Sequence, residues 1–224
     1  MSAPYYADDL VTLYLGDCRT IPEWLEADVL IVDPPYGRSW KSGSGMKNSH
    51  GGGRGSIPNG GIANDADTAV RDAVLDLWGN RPGIVFGDLL ITQPATAVQA
   101  LIYAKPEDAG VKGARGGRRR DAEAIYLTGP WPAGVGGRSS IIRTAGLVAG
   151  PTGLATRSGH PHTKPLDVMG ELITMTTGLI ADPCCGSGTT GLAAKLLGRP
   201  AILCESDERW AEVTARRLSQ DVLV

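Results

Sequence analysis

Leu179-Ile180-Ala181-Asp182-Pro183-Cys184-Cys185-Gly186-Ser187-Gly188-Thr189-Thr190-Gly191 decides how this chain folds. Three apolar residues read as a strand, and an acid and a proline end it. Gly186, Gly188 and Gly191 then form a GxGxxG turn that opens a helix through Leu192 to Leu197, stopped by Gly198. Ala201 to Cys204 is the next strand, and it ends on Glu205. A tight turn, a close backbone approach and an acid at the end of the following strand make a site for a nucleoside-containing cofactor.

The surrounding pattern repeats this alternation of strand and helix. His160-Pro161-His162-Thr163-Lys164-Pro165 punctuates the chain upstream. Leu166, Val168, Met169, Leu172, Ile173 and Met175 then space out as an amphipathic helix ended by Gly178. Downstream, Trp210 to Leu218 is the last helix, with an expected apolar stripe of Trp210, Val213 and Leu218 beside Thr214. Near the start, Val11 to Leu15 alternates as a strand and is followed by Gly16-Asp17. Thr20-Ile21-Pro22-Glu23 reads as an N-cap with proline just inside a short helix. Asp67 to Trp78 has helical spacing, Ile84 to Phe86 reads as a strand, and Thr92 to Leu101 is predicted as a helix with Pro94 in its first turn. Leu101 to Ala104 and Glu123 to Thr128 are read as further strands. The expected fold is α/β: a mostly parallel, Rossmann-like sheet with helices on both faces.

Val29-Leu30-Ile31-Val32-Asp33-Pro34-Pro35-Tyr36 is the second organising stretch. Its apolar, mostly β-branched run is a buried strand, and Pro35 keeps Pro34 out of the helical region. The run presents a carboxylate, a stiff carbonyl and an aromatic ring at a strand end, where open α/β sheets place ligands.

Composition sets outer bounds. The 224 residues suffice for one sizeable α/β domain, with hydrophobic residues at 42% and charged ones at 21%. The 31 glycines and 15 prolines follow no period of three and signal loops. Cysteines at 18, 184, 185 and 204 form no CxxC pair, which argues against a zinc site or disulfide framework and for a reducing interior. Met1 to Asp9 is polar and acidic, unlike a signal peptide, and no apolar run approaches a membrane span. His160 and His162 are read as loop histidines rather than metal ligands.

Net charge is -2, but residues 105–164 carry 10 basic and 4 acidic side chains between two acidic segments. Arg115, Arg118, Arg119 and Arg120 in that segment are candidate phosphate contacts. Residues 37–61, rich in glycine and polar side chains, are expected to form a flexible loop after Tyr36, a lid or a nucleic-acid-touching loop. Residues 106–158 are expected to hold a small target-recognition insertion within a single domain spanning 1–224.

Asp33-Pro34-Pro35-Tyr36 resembles the catalytic motif of the amino-group DNA methyltransferases, and Asp182 to Thr190 resembles their cofactor loop. The catalytic motif precedes the loop, which is similar to the circularly permuted beta arrangement of that family. Gly16-Asp17, the Arg120 to Leu127 strand, and His160-Pro161 with Lys164-Pro165 also fit. The resemblance covers most of the chain apart from about residues 37–61 and 129–158.

The resemblance implies methyl transfer from S-adenosyl-L-methionine to the N6 amino group of adenine in double-stranded DNA, with cytosine N4 as the alternative. Asp33 and the Pro34 carbonyl would hold the amine, Pro35 would stiffen the turn, and Tyr36 would stack on a flipped base. Gly186, Gly188, Thr189 and Gly191 would form the cofactor loop with Glu205 at the ribose. Asp17 would lie near the cofactor adenine and Lys164 near its methionine moiety. Asp182 would fix the loop or touch the cofactor directly. Two departures stand out: Cys184 replaces a usual aromatic, and His162-Thr163 replaces a threonine-plus-polar pair. The resemblance further implies a cytoplasmic bacterial or phage-infected setting. A short target site, a homodimer or partner subunit, and a cognate restriction enzyme would suit so small a chain. A nicotinamide-dependent oxidoreductase would leave Asp33 to Tyr36 unexplained, and a non-catalytic nucleic-acid-binding module would bind DNA without methyl transfer.

Overall fold

Val29, Leu30, Ile31 and Val32 are all buried, and they face opposite ways. Val29 and Ile31 join one apolar cluster, while Leu30 and Val32 join another. A strand buried on both faces belongs in the middle of a sheet covered by helices on each side. The computed structural model describes residues 2–39, 63–106, 109–110, 115–132, 137–144 and 163–220. The Gly-rich stretch from residue 40 to 61, His160, His162 and parts of 106–158 lie outside them.

Nine strands form one sheet among the described residues. They are β1 (Tyr6–Ala7), β2 (Val11–Leu15), β3 (Val29–Val32), β4 (Gly83–Gly87), β5 (Ala97–Ala104), β6 (Ala122–Thr128), β7 (Ile141–Arg143), β8 (Ile180–Asp182) and β9 (Ala201–Glu205). Their order is β1-β2-β9-β8-β3-β4-β6-β5-β7. The five strands from β2 to β4 are mutually parallel. Strand β6 runs antiparallel to both of its neighbours, and β1 is antiparallel to β2.

Among the described residues, four α-helices cover the sheet: α1 (Ala69–Trp78), α2 (Leu166–Thr174), α3 (Thr189–Leu196) and α4 (Glu208–Ser219). Helices α2, α3 and α4 bury Val168, Met169, Leu172, Ile173, Ala193, Ala194, Ala211 and Leu218 on one face. Helix α1 and a 3₁₀ helix (Pro22–Glu26) cover the other face with Val74, Leu75, Trp78 and Trp24. The two tryptophan rings stack with centroids 5.9 Å apart.

Three expectations about local structure are corrected. Thr92 to Leu101 is not a helix: from Ala97 it is strand β5, paired antiparallel with β6 across a register shift between Ala97 and Gln99. Ladder bonds to β6 outweigh a local helical preference that a short segment expresses only weakly. The short helix after Thr20 is 3₁₀ and is preceded by Ile21; the Thr20 hydroxyl donates to the Asp17 carbonyl instead of capping. In α4 the buried stripe is Ala211, Thr214 and Leu218, while Trp210 and Val213 are only half-buried. Arg209 stacks on the Trp210 ring, 4.4 Å from its centroid.

Residues 122–128 and 141–143, inside the interval read as an insertion, are strands β6 and β7 of the main sheet.

Candidate active site

The five parallel strands all end at one edge of the sheet, and an acid stands at or just beyond each ending. Asp17 follows β2, Asp33 follows β3, Asp88 follows β4, Asp182 ends β8 and Glu205 ends β9. From β8 the chain crosses through α3 to β9 on one side. From β3 it crosses through α1 to β4 on the other. The crevice between β8 and β3 is therefore a topological switch point, where such sheets bind ligands.

On the β8 side, Gly186 and Gly188 have φ of 53° and 76°, conformations that L side chains rarely adopt. A Cβ on Gly188 would lie 2.5 Å from Thr214 Cγ2, and one on Gly191 would lie 2.5 Å from Leu203 Cδ1. The first two glycines thus shape the turn, and Gly191 lets α3 pack against β9. Glu205 closes the loop: Oε2 accepts from Gly186 N at 2.8 Å and Oε1 accepts from Asp207 N at 2.8 Å. The Thr214 hydroxyl donates to the Gly186 carbonyl at 2.8 Å. Thr189, the first residue of α3, is buried beside Arg217.

Asp182 braces this loop from below. Its Oδ1 accepts from Cys184 N at 3.1 Å, and its Oδ2 accepts from the Thr190 hydroxyl. Burial, with Asp33 and Glu205 adding to it, pushes its carboxyl up to about 7 against the pull of those hydrogen bonds. Asp17 lies beside Glu205 through the bond from Gly16 N to the Glu205 carbonyl. It is half-buried, and its carboxylate is held by the Arg19 guanidinium. Cys184 sets its thiol against that of Cys18.

On the β3 side, Asp33 and Tyr36 converge with two residues distant in sequence. The Tyr36 hydroxyl donates to Asp33 Oδ1 at 2.7 Å and lies 3.3 Å from Glu123 Oε2. Lys164 Nζ is 2.8 Å from Asp33 Oδ2, 3.1 Å from Glu123 Oε2 and 3.0 Å from the Tyr36 oxygen. It also sits 4.9 Å from the centroid of the Phe86 ring. Lys105 binds the other Glu123 oxygen. Burial alone would raise the Glu123 carboxyl, but Lys164 and Lys105 hold it down at about 2. Burial alone would lower the Lys164 ammonium, but Asp33 and Glu123 raise it. The Tyr36 hydroxyl is pushed well up by burial and by the two carboxylates. Glu123, Lys164 and Tyr36 therefore keep their ordinary neutral-pH charges.

Lys164 is thus brought to Asp33, not to the glycine loop. The link to that loop is made by its neighbour, whose Thr163 hydroxyl is 3.1 Å from Ser187 Oγ. Glu123 escaped sequence reading. Its only signal was a charge near the start of the apolar run Ala122 to Leu127. Its partner Lys164 becomes visible only when β6 lies beside β4, with Gly87 opposite Ala124.

Beyond Tyr36 the backbone is pinned by Asp65, whose Oδ1 accepts from Gly37 N at 2.8 Å. Gly37 has φ of 78°, and a Cβ there would meet Asp67 C at 2.7 Å.

Arg115, Arg118, Arg119 and Arg120 lie together on the β5–β6 connection, all exposed. Arg115 and Arg118 exchange both backbone hydrogen bonds around Gly116 and Gly117, whose φ values are 56° and 72°. That is the signature of a tight primed turn. Because β6 is antiparallel to β4, this turn projects from the same sheet edge as Asp33.

The sheet order, with a carboxylate beside a glycine-rich turn at the switch point, makes this a Rossmann-like α/β fold with a nucleotide-type crevice. The chain resembles the amino-group DNA methyltransferases: a family model described as DNA methylase matches residues 131–216. Type II methyltransferase M2.MboI of Moraxella bovis is 42% identical over 65 residues, 28% of this chain and 24% of that protein. Type II methyltransferase M2.LlaDCHI of Lactococcus lactis subsp. cremoris is 38% identical over 64 residues, 27% of this chain and 24% of that protein. The matches thus span about a quarter of the length of these curated relatives. Among solved structures, the M1.HpyAVI–SAM complex has a TM-score of 0.59 at 19% identity, covering 94% of this chain and 100% of that one. PvuII DNA methyltransferase, described as cytosine-N4-specific, has a TM-score of 0.63 at 14% identity, covering 99% and 90%. No helix among the described residues is long and apolar enough to cross a membrane.

Proposed function

We propose that this chain transfers a methyl group from S-adenosyl-L-methionine to the N6 amino group of adenine in double-stranded DNA. One observation carries the reading: Asp33 and the glycine loop after Asp182 flank the same crevice between β3 and β8. The names of the Type II methyltransferase relatives and the SAM-bound neighbour support methyl transfer from S-adenosyl-L-methionine, without naming the base. The motif order, catalytic stretch before cofactor loop, supports the circularly permuted arrangement.

The residues present fit the cofactor. Gly186 and Gly188 let the backbone approach a ligand closely at two points of the turn, and Glu205 offers a buried carboxylate at the end of the next strand for ribose hydroxyls. Asp17, Cys184, Thr189 and Gly191 complete this half, with Asp182 fixing the loop. Bound there, S-adenosyl-L-methionine supplies a methyl group on a positively charged sulfur.

An exocyclic amine is a poor nucleophile because its lone pair is delocalised into the ring. Hydrogen bonds from the amine to the Asp33 carboxylate and the Pro34 carbonyl favour a more tetrahedral nitrogen. Pro35 restricts that turn, and Tyr36 offers a ring for stacking on the flipped base. The bound cofactor would supply its methyl group to the amine nitrogen and would keep the sulfur electron pair as a neutral thioether. The nitrogen becomes positive beside Asp33, then releases an N–H proton through that carboxylate to water. Arg115, Arg118, Arg119 and Arg120 hold phosphates, and the interval 106–158 contributes to target recognition.

Cytosine N4 is the second reading, favoured by the likeness to a cytosine-N4-specific structure. Incubation with labelled S-adenosyl-L-methionine and mixed-sequence duplex DNA, followed by nucleoside digestion, decides between them. Label in N6-methyladenine is expected. Label only in N4-methylcytosine overturns the base assignment, and no label in any DNA overturns the activity.

A further inference from the structure

Glu123 plays no part in the transfer as just described, yet it is built into the site. Both Asp33 oxygens are engaged: Oδ1 by the Tyr36 hydroxyl at 2.7 Å and Oδ2 by Lys164 at 2.8 Å. An amine that binds Asp33 competes with the Tyr36 hydroxyl for Oδ1. A buried hydroxyl displaced from its acceptor is costly unless another stands within reach. Glu123 Oε2 is that second acceptor, already 3.3 Å from the Tyr36 oxygen. Lys164 touches both carboxylates, so it stays paired whichever one the hydroxyl uses. Lys105, just after β5, anchors the far Glu123 oxygen and keeps the acceptor in place.

We propose that Glu123 is a positioning residue for the transfer: it receives the Tyr36 hydroxyl when the amine occupies Asp33, and it holds Lys164 against the Asp33 carboxylate throughout. This rests on the function proposed above and adds a residue to it.

The test is a kinetic cycle on the full chain with wild type, Glu123→Gln, Glu123→Asp, Tyr36→Phe and the Glu123→Gln/Tyr36→Phe double variant. Glu123→Gln is expected to lower kcat about 10–100-fold, the range for outer residues that orient reacting groups. The KM for the cofactor should stay within about twofold, since Glu123 belongs to the Asp33 side of the crevice. Glu123→Asp should recover part of the loss, because it keeps the charge. In the Tyr36→Phe background the Glu123→Gln penalty should shrink at least about threefold, because no hydroxyl remains to be received. Equal penalties in both backgrounds, an unchanged kcat, or a loss confined to KM overturns the proposal. Should Glu123→Gln fail to fold, the same cycle run with Glu123→Asp decides by the same criteria. A silent wild type on every DNA sinks the proposed function and this inference together, whereas an active wild type with an equally active Glu123→Gln sinks the inference alone.

Discussion

Lys164 Nζ stands 2.8 Å from Asp33 Oδ2, so the segment entering α2 supplies the counter-charge for the carboxylate that leaves β3. The pair is largely buried, with side-chain exposures of 10% and 24%. With Glu123 as a third member, one ammonium joins two carboxylates that would otherwise repel each other in a poorly solvated place.

Removing that ammonium should be costly. Lys164→Met is expected to destabilise the fold by about 3–5 kcal/mol, the usual penalty for stranding a buried charge. Urea denaturation checks this, and Lys164→Arg should lose less because it keeps the charge.

Asp33 is expected to act on the substrate, not on the cofactor. Asp33→Ala should abolish methyl transfer while calorimetry still detects binding of S-adenosyl-L-methionine. Lost cofactor binding in a folded variant would refute this division of labour.

Gly188 carries a steric prediction. With φ of 76° and Thr214 Cγ2 2.5 Å from any added Cβ, Gly188→Ala should cost about 2–4 kcal/mol from left-handed strain and overpacking. Adding Thr214→Ala should recover part of that stability in thermal melts; no recovery would point away from a clash with Thr214.

Asp182 makes stability depend on pH. Its carboxyl is raised from an ordinary 3.8 to about 7 in the folded protein, chiefly by burial. Between those values the folded state holds a proton that the unfolded state has lost, so unfolding free energy falls as pH rises. The contribution is complete below 3.8 and gone above about 7. Asp182→Asn should flatten this slope, measured by chemical denaturation across the window.

The arginine turn predicts salt dependence. Arg118→Ala should weaken DNA binding and reduce the slope of log affinity against log salt by about 0.9 for each phosphate that Arg118 neutralises. Fluorescence anisotropy across a salt series measures that slope. The transfer rate at saturating DNA should be unchanged, because the exposed Arg118 side chain is not among the groups that hold Asp33 or the glycine loop.

Much of this was legible in sequence where the determinant is local. Strands β2 and β3 fall on the residues expected of them, because their β-branched and alternating patterns need no partner to be recognised. The glycines of the turn after Asp182 were legible for the same reason: a positive φ is a property of one residue, and Gly186 and Gly188 have it. Leu101 to Ala104 of strand β5 reads as a strand in the sequence, but Ala97 to Ala100 reads as helix because its conformation is set by β6, which follows it by a long connection. In α4 Leu218 is buried as expected, but Ala211 and Thr214 take the places expected of Trp210 and Val213, because small residues fit against the loop and sheet beneath.

By itself, then, the sequence determined the αβ alternation, the acids at the strand ends and the glycine turn, all encoded in runs of a few residues. Only the tertiary structure decided that Lys164 serves Asp33, that Glu123 belongs to the same cluster, and that the arginine turn shares their edge. These depend on strand order and on which strand runs antiparallel, and that order is chosen by burial of both sheet faces at once. Ion pairs between remote residues follow from it, because a charge withdrawn from water must find whichever opposite charge the packing brings near.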